Sequence, residues 1–149
     1  MAGPLDGLRD HRVNWTTSTP PSLVPRDATE QRERAMTEDR EPAKVAFLII
    51  SDDQARAVPG IVMATRMKVN RGVDVRVLFF GPAVRLAASG HIDTHLAALR
   101  DAGIGATACR ANVEQYDVID EISVRPLELL AAGAEVEAFA REGYTVVSF

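Results

Sequence analysis

At 149 residues, 46% of them hydrophobic and 26% charged, the chain can bury one sizeable core but not two comfortable ones. Its net charge of −4 excludes a general electrostatic attraction to nucleic acid or anionic lipid, so neither a nucleic-acid nor a membrane partner is expected. A lone cysteine excludes an intramolecular disulfide framework and fits a reducing compartment.

The first 42 residues lack a sustained apolar period. Thr16-Thr17-Ser18-Thr19-Pro20-Pro21-Ser22 is loop-like, and Pro4, Pro25 and Pro42 add further breaks. The charge-rich stretch Asp27 to Glu41 is compatible with a solvated helix that has no face to bury. Residues 1–42 are therefore expected to form a disordered or loosely attached arm, with Trp15 its one candidate anchor. Met36-Thr37-Glu38-Asp39 would also make an ordinary start to the compact domain, expected over 43–149. No apolar signal region opens the chain, and no apolar run exceeds Val45 to Ile50, so the expected location is cytoplasmic.

From Lys44 onward strands and helices alternate. Val45 to Ile50 is a continuous apolar run, as in a strand covered on both faces. Ser51-Asp52-Asp53 ends it and offers helix caps. Gln54 to Arg71 has amphipathic helical spacing, with Pro59 predicting that the regular helix begins there after a turn, and Gly72 its C-cap. Val73 to Phe80 reads as a second buried strand closed by Gly81-Pro82. Val84 to Ala88 adds a helical turn, and Asp93 to Ala102 a further helix stopped by Gly103.

Ile104 to Cys109 is the third predicted strand, and Val113 to Glu121 the helix after it. Asn112 is its expected N-cap, with Gln115 completing a capping box. A short strand around Ser123 to Leu129 follows, then a turn through Ala132-Gly133, a helix from Ala134 to Glu142, and a last strand from Tyr144 to Phe149. Alternating strands and helices imply a three-layer α/β/α sandwich around a mainly parallel five-stranded sheet. Ala132, Val136 and Phe139 share an apolar face that either packs on this sheet or closes an interface between copies.

Parallel sheets place ligands at the carboxyl ends of their strands. That rule selects Ser51, Asp52 and Asp53 after the first strand, Gly81 and Pro82 after the second, and Cys109 with Arg110 after the third. A thiol beside the free N–H groups of a helix start, with Arg110 adjacent, favours the thiolate needed by a nucleophile or persulfide carrier. The plainer reading of Cys109 is a small buried hydrophobe at a strand end.

Other α/β functions fail on their residues. A phosphoacceptor receiver needs an aspartate where Cys109 stands. A flavodoxin phosphate loop would not be acidic, as Ser51-Asp52-Asp53-Gln54 is. Gly103-Ile104-Gly105-Ala106-Thr107-Ala108 matches a dinucleotide string but precedes a strand instead of joining strand to helix. His91 and His95 lie four apart around Asp93 without a zinc-protease glutamate, and Asp117, Asp120 and Glu121 read as a solvated acidic face. No nucleophile elbow is present. Neither a metal nor a cofactor is expected.

Three phrases carry a resemblance: Val45-Ala46-Phe47-Leu48-Ile49-Ile50, Val75-Arg76-Val77-Leu78-Phe79-Phe80-Gly81-Pro82-Ala83-Val84-Arg85-Leu86, and Glu142-Gly143-Tyr144-Thr145-Val146-Val147-Ser148-Phe149. With the strand Gly103 to Cys109 between them, the chain from Lys44 resembles the DsrE/DsrF-like family of small α/β sulfur-relay and related proteins. The resemblance implies that Cys109 takes up a persulfide and passes its outer sulfur to a partner's cysteine; the strand ends and the helix start add Arg110, Asn112, Ser51, Asp52 and Gly81 as candidate thiolate-stabilising or binding residues. The resemblance further implies trimers or hexamers and a sulfur donor or acceptor protein. The alternative is an oligomeric module of the same fold that binds a small ligand or a partner segment without catalysis.

Overall fold

The computed structural model describes residues 26–37 and 41–149 and divides the chain into two units, 1–40 and 41–149. Within the first, α1 (Arg26–Thr37) is a helix whose residues from Thr29 to Met36 are all exposed. Such exposure is what a charge-rich helix without an apolar stripe permits. Trp15 lies outside the described residues.

The second unit holds five strands: β1 (Lys44–Ile49), β2 (Asp74–Phe79), β3 (Gly105–Cys109), β4 (Glu128–Leu130) and β5 (Thr145–Ser148). All four neighbouring pairs are parallel, in the order β4-β3-β2-β1-β5. The chain steps from β1 through β4 in one direction and returns with β5 beside β1. Right-handed crossovers therefore place the first three connections on one face and the last on the other. The connecting helices are α2 (Gln54–Arg71), α3 (Ala83–Ala88), α4 (Asp93–Asp101), α5 (Arg110–Gln115), α6 (Ile119–Ser123) and α7 (Ala132–Arg141).

Side-chain alternation along the strands assigns the two faces. Phe47, Ile49, Val75, Val77, Phe79, Ala106 and Ala108 join Ile61, Val84, Leu96, Leu99, Val113 and Ile122 in one large core under α2 to α6. The other face is thinner. Ala46, Leu78 and Cys109 meet Ala132, Phe139 and Tyr144 under α7, with half-buried Leu48 alongside. The result is the expected three-layer α/β/α sandwich, with one layer reduced to a single helix. Ala132 and Phe139 thus pack on the sheet, while Val136 is exposed.

Several boundaries depart from the sequence reading. Asp53 caps α2, its Oδ1 accepting from the Ala55 amide at 2.8 Å, so the helix begins at Gln54 and Pro59 lies inside it. The carbonyl that Pro59 leaves unbonded belongs to exposed Ala55, where water can serve it. Gly72 ends α2 as expected, its φ of 65° being the left-handed conformation a side chain disfavours.

The single helix expected over Val113 to Glu121 is two, α5 and α6, separated where Asp117 turns left-handed at φ 53°. Ser123 is helical, not extended. The fourth strand shrinks to three residues, and Gly133 lies in the first turn of α7 instead of a preceding turn.

β1 and β5 flank the point where strand order reverses, the usual ligand crevice of an open parallel sheet. Phe149 fills it. Its carbonyl accepts from the amides of Ile50 (2.8 Å) and Ser51 (3.3 Å), and its amide donates to the Leu48 carbonyl at 3.0 Å. Its ring stacks on Phe47, centroids 5.9 Å apart, and lies so close to Gly60 that a Cβ there would sit 2.6 Å from Cγ.

Candidate functional site

Cys109 is the last residue of β3 and the N-cap residue of α5, with extended backbone (φ −64°, ψ 113°). The extended strand carries it directly into the helix without a loop, so Arg110, expected next to the thiol in a loop, is the first residue of α5. Period-two alternation sends Ala108 into the larger core and Cys109 to the thin face, where it is 4% exposed. Above it lies the start of α7, represented in the same cluster by Ala132.

The helix cap expected at Asn112 is not formed there. Asn112 lies in the first turn of α5, three residues past the cap, and its Oδ1 accepts the amide of Gly81 at 2.8 Å, tying the start of α5 to the end of β2. Its Nδ2 donates to Gln115 Oε1 at 3.2 Å, so the expected pair meets side chain to side chain. The extended backbone of Cys109, not Asn112, sets the helix start.

The other strand-end residues are also committed to local partners. Ser51 Oγ accepts from the Asp53 amide at 3.1 Å. Asp52 pairs with Arg85 of α3, whose guanidinium lies 5.1 Å from the centroid of the Tyr116 ring. Arg110 reaches across to the carbonyl of Leu129 at 3.5 Å. Gly81 and Asn112 are thus joined directly. Asp52 forms a separate group with Arg85 and Tyr116, while Ser51 turns back on Asp53. The Cys109 thiol lies on the α7 face, away from the core packed by α3 and α5.

At the opposite end of the strands, α7 is held by a polar clasp. Arg76 donates to Glu142 at 2.8 Å, approaches Glu135 at 3.9 Å and lies 5.1 Å from the centroid of the Tyr144 ring. The Tyr144 hydroxyl donates to Asp74 at 2.7 Å. Burial, followed by this hydrogen bond, holds the Tyr144 phenol above its ordinary 10.0.

Sequence reasoning missed three contributors to this surface. Arg85 carries no motif. The start of α7 is covered by Ala131, which offers no side-chain acceptor to the helix amides. Ile50 and Phe80, continuing β1 and β2, are 38% and 39% exposed. The signal for Phe80 was present: adjacent Phe79 and Phe80 must point to opposite faces, and only one face is thickly covered.

Among the described residues no cluster of three metal-ligating side chains occurs, and no helix is long and apolar enough to cross a membrane. No family model and no curated protein matches the chain. Several solved chains share its fold, two proteins of unknown function among them. A conserved protein of unknown function from Bacteroides thetaiotaomicron superposes with a TM-score of 0.63 at 20% identity, covering 71% of this chain and 94% of its own. A protein of unknown function from Methanobacterium thermoautotrophicum gives 0.64 at 15% identity, covering 72% of this chain and 99% of its own. The chain thus has the fold of these small parallel α/β proteins.

Proposed function

We propose that the chain is a DsrE-like persulfide carrier working through Cys109 and self-associating as a trimer or hexamer. The observation that supports this reading is the position of Cys109 beside two helix starts: it occupies the N-cap position of α5, without a side-chain cap bond, and shares a buried cluster with Ala132, the first residue of α7. Unpaired amides at a helix start attract negative charge, which a thiolate or persulfide bears. Loading is a thiol exchange. The Cys109 thiolate attacks the outer sulfur of a donor persulfide, the new S–S bond forms, and the donor thiolate leaves. Unloading repeats the exchange with an acceptor thiolate and frees Cys109, without net oxidation. Exposed Ile50 and Phe80 offer a donor or acceptor an apolar landing beside the thin face.

The second reading, a non-catalytic binding module, is favoured by the 4% exposure of Cys109 and by the internal pairing of Asp52, Gly81 and Asn112. Intact-mass analysis of the full chain after incubation with glutathione persulfide separates the two. The carrier gains one sulfur atom under native conditions, and Cys109→Ser abolishes the gain. If Cys109 is loaded and alkylated only after denaturation, the carrier reading is wrong. Light scattering should exceed the mass of one chain, and a clean monomer counts against the relay assembly.

A further inference from the structure

Helix α2 carries two apolar stripes. One, through Ala57, Gly60, Ile61 and Ala64, is buried against the sheet. The other runs along the outer side through Pro59, Val62 and Met63, which with Arg66, Asn70, Arg71 and the edge of core-packed Met67 line a groove of about 500 Å³. Met63 is 46% exposed and Val69 66%. Spacings of three and four residues give this outer stripe the form of a helix-packing seam, which isolated surface hydrophobes lack.

Charge selects the occupant. The helix has four basic residues, Arg56, Arg66, Lys68 and Arg71, and no acidic one, in a chain of net charge −4. Arg56 lies 3.7 Å from Asp53, whereas Arg66, Lys68 and Arg71 have no ion-pair partner among the described residues.

We propose that the outer face of α2 is a docking seam for an acidic amphipathic helix of a partner protein. Apolar residues of the partner at i, i+3, i+4 and i+7 seat on Pro59, Val62 and Met63, whose thioether adapts to varied shapes. Flanking carboxylates meet Arg66 and Arg71. A second copy offers no long acidic amphipathic helix: on α7 Glu135 lies near Arg76 and Glu137 pairs with Arg141, α6 with Asp120 and Glu121 has only five residues, and α1 has no apolar stripe. A bilayer fits less well, because the remaining net-acidic surface repels anionic lipid. The seam packs above the larger core, across the sheet from Cys109, and stands independently of the sulfur reading.

The test uses the full chain and a fluorescein-labelled helical peptide with leucines at seam spacing flanked by glutamates. Anisotropy should rise on binding, and Met63→Asp and Arg66→Glu should each weaken it by about tenfold or more. Both positions are exposed, and far-UV circular dichroism checks that each variant folds. The same peptide with lysines in place of glutamates should fail to bind wild type. Absence of binding, equal binding of the lysine peptide, or insensitivity to Met63→Asp and Arg66→Glu would overturn the proposal. So would capture by phosphatidylserine vesicles that the variants abolish without peptide binding, or an oligomer that Met63→Asp converts to monomer. Persulfide loading of Cys109 in Arg66→Glu provides the separate readout and should equal that of wild type.

Discussion

Replacing Asn112 by alanine should loosen the start of α5, because one side-chain oxygen there serves a buried amide. Asn112 Oδ1 lies 2.8 Å from the Gly81 nitrogen, and Gly81 is buried at the end of β2. Leaving such an N–H without an acceptor costs about 1–3 kcal/mol. Alanine recovers at most about 0.7 kcal/mol through its better helix propensity. The net loss is therefore about 1–2 kcal/mol, a fall in melting temperature of roughly 4–10 °C for a domain of this size.

Asn112→Asp keeps an acceptor in the same place and sits in the first turn of a helix, where a carboxylate is favourable. It should remain within about 0.5 kcal/mol of wild type. Thermal unfolding followed by circular dichroism measures both variants. Native-state alkylation of Cys109, immediately before α5, gives a local readout. If the thiol reacts through opening of this region, Asn112→Ala should react about 5–30 times faster. An alanine variant as stable as wild type, or an aspartate variant as unstable as alanine, would refute the assigned hydrogen bond.

Gly60→Ala should destabilise by about 1–2 kcal/mol in urea unfolding despite the usual helical gain, because the new methyl meets the Phe149 ring at 2.6 Å and main-chain bonds hold Phe149 on both sides; a stabilised variant would show that the ring yields. Tyr144→Phe loses the hydrogen bond to Asp74 and should cost about 1 kcal/mol near neutral pH. The raised phenol pKa makes that contribution complete below pH 10.0 and lost as pH climbs through the higher folded value, so wild type and variant should converge in alkali. Ultraviolet titration should show a late tyrosine ionisation in wild type that the variant lacks. Arg76→Met should cost about 1 kcal/mol, since the ion pairs are partly solvated and the Tyr144 contact is modest. Amide exchange should quicken in α7 and leave α2 unchanged; uniform acceleration would contradict a local clasp.

A continuous apolar run made β1 legible, because a strand covered on both sides admits few polar residues, and in β2 the apolar stretch Val77 to Phe80 ended by Gly81-Pro82 did the same. Small Ala106, Thr107 and Ala108 still marked β3 through their flanking glycines and the helix that follows. Pro59 misled because the cost of an interior proline depends on what happens to the carbonyl four residues earlier, and sequence does not reveal that Ala55 faces water. The break at Asp117 depended on one left-handed residue within a favourable helical pattern. For the candidate site, the strand-end rule selected Gly81 and the helix-start signal selected Asn112, and one hydrogen bond joins these two. Neither revealed which face the thiol occupies, because that depends on strand register and on the helix returning over the sheet. Arg85 and Ala131 acquire their roles only through that return and the packing of α3.

Phe149 gives the edge of the sheet an occupant supplied by the chain itself. Its ring takes the room that Gly60 leaves open, and its carbonyl receives the amides of Ile50 and Ser51. Where other open parallel sheets seat substrates, this chain sets an aromatic stopper, a half-buried ring stacked on Phe47. Trimming the stopper to a smaller residue would exchange a structural element for a vacant berth, giving an engineer a second place to seat a flat apolar guest.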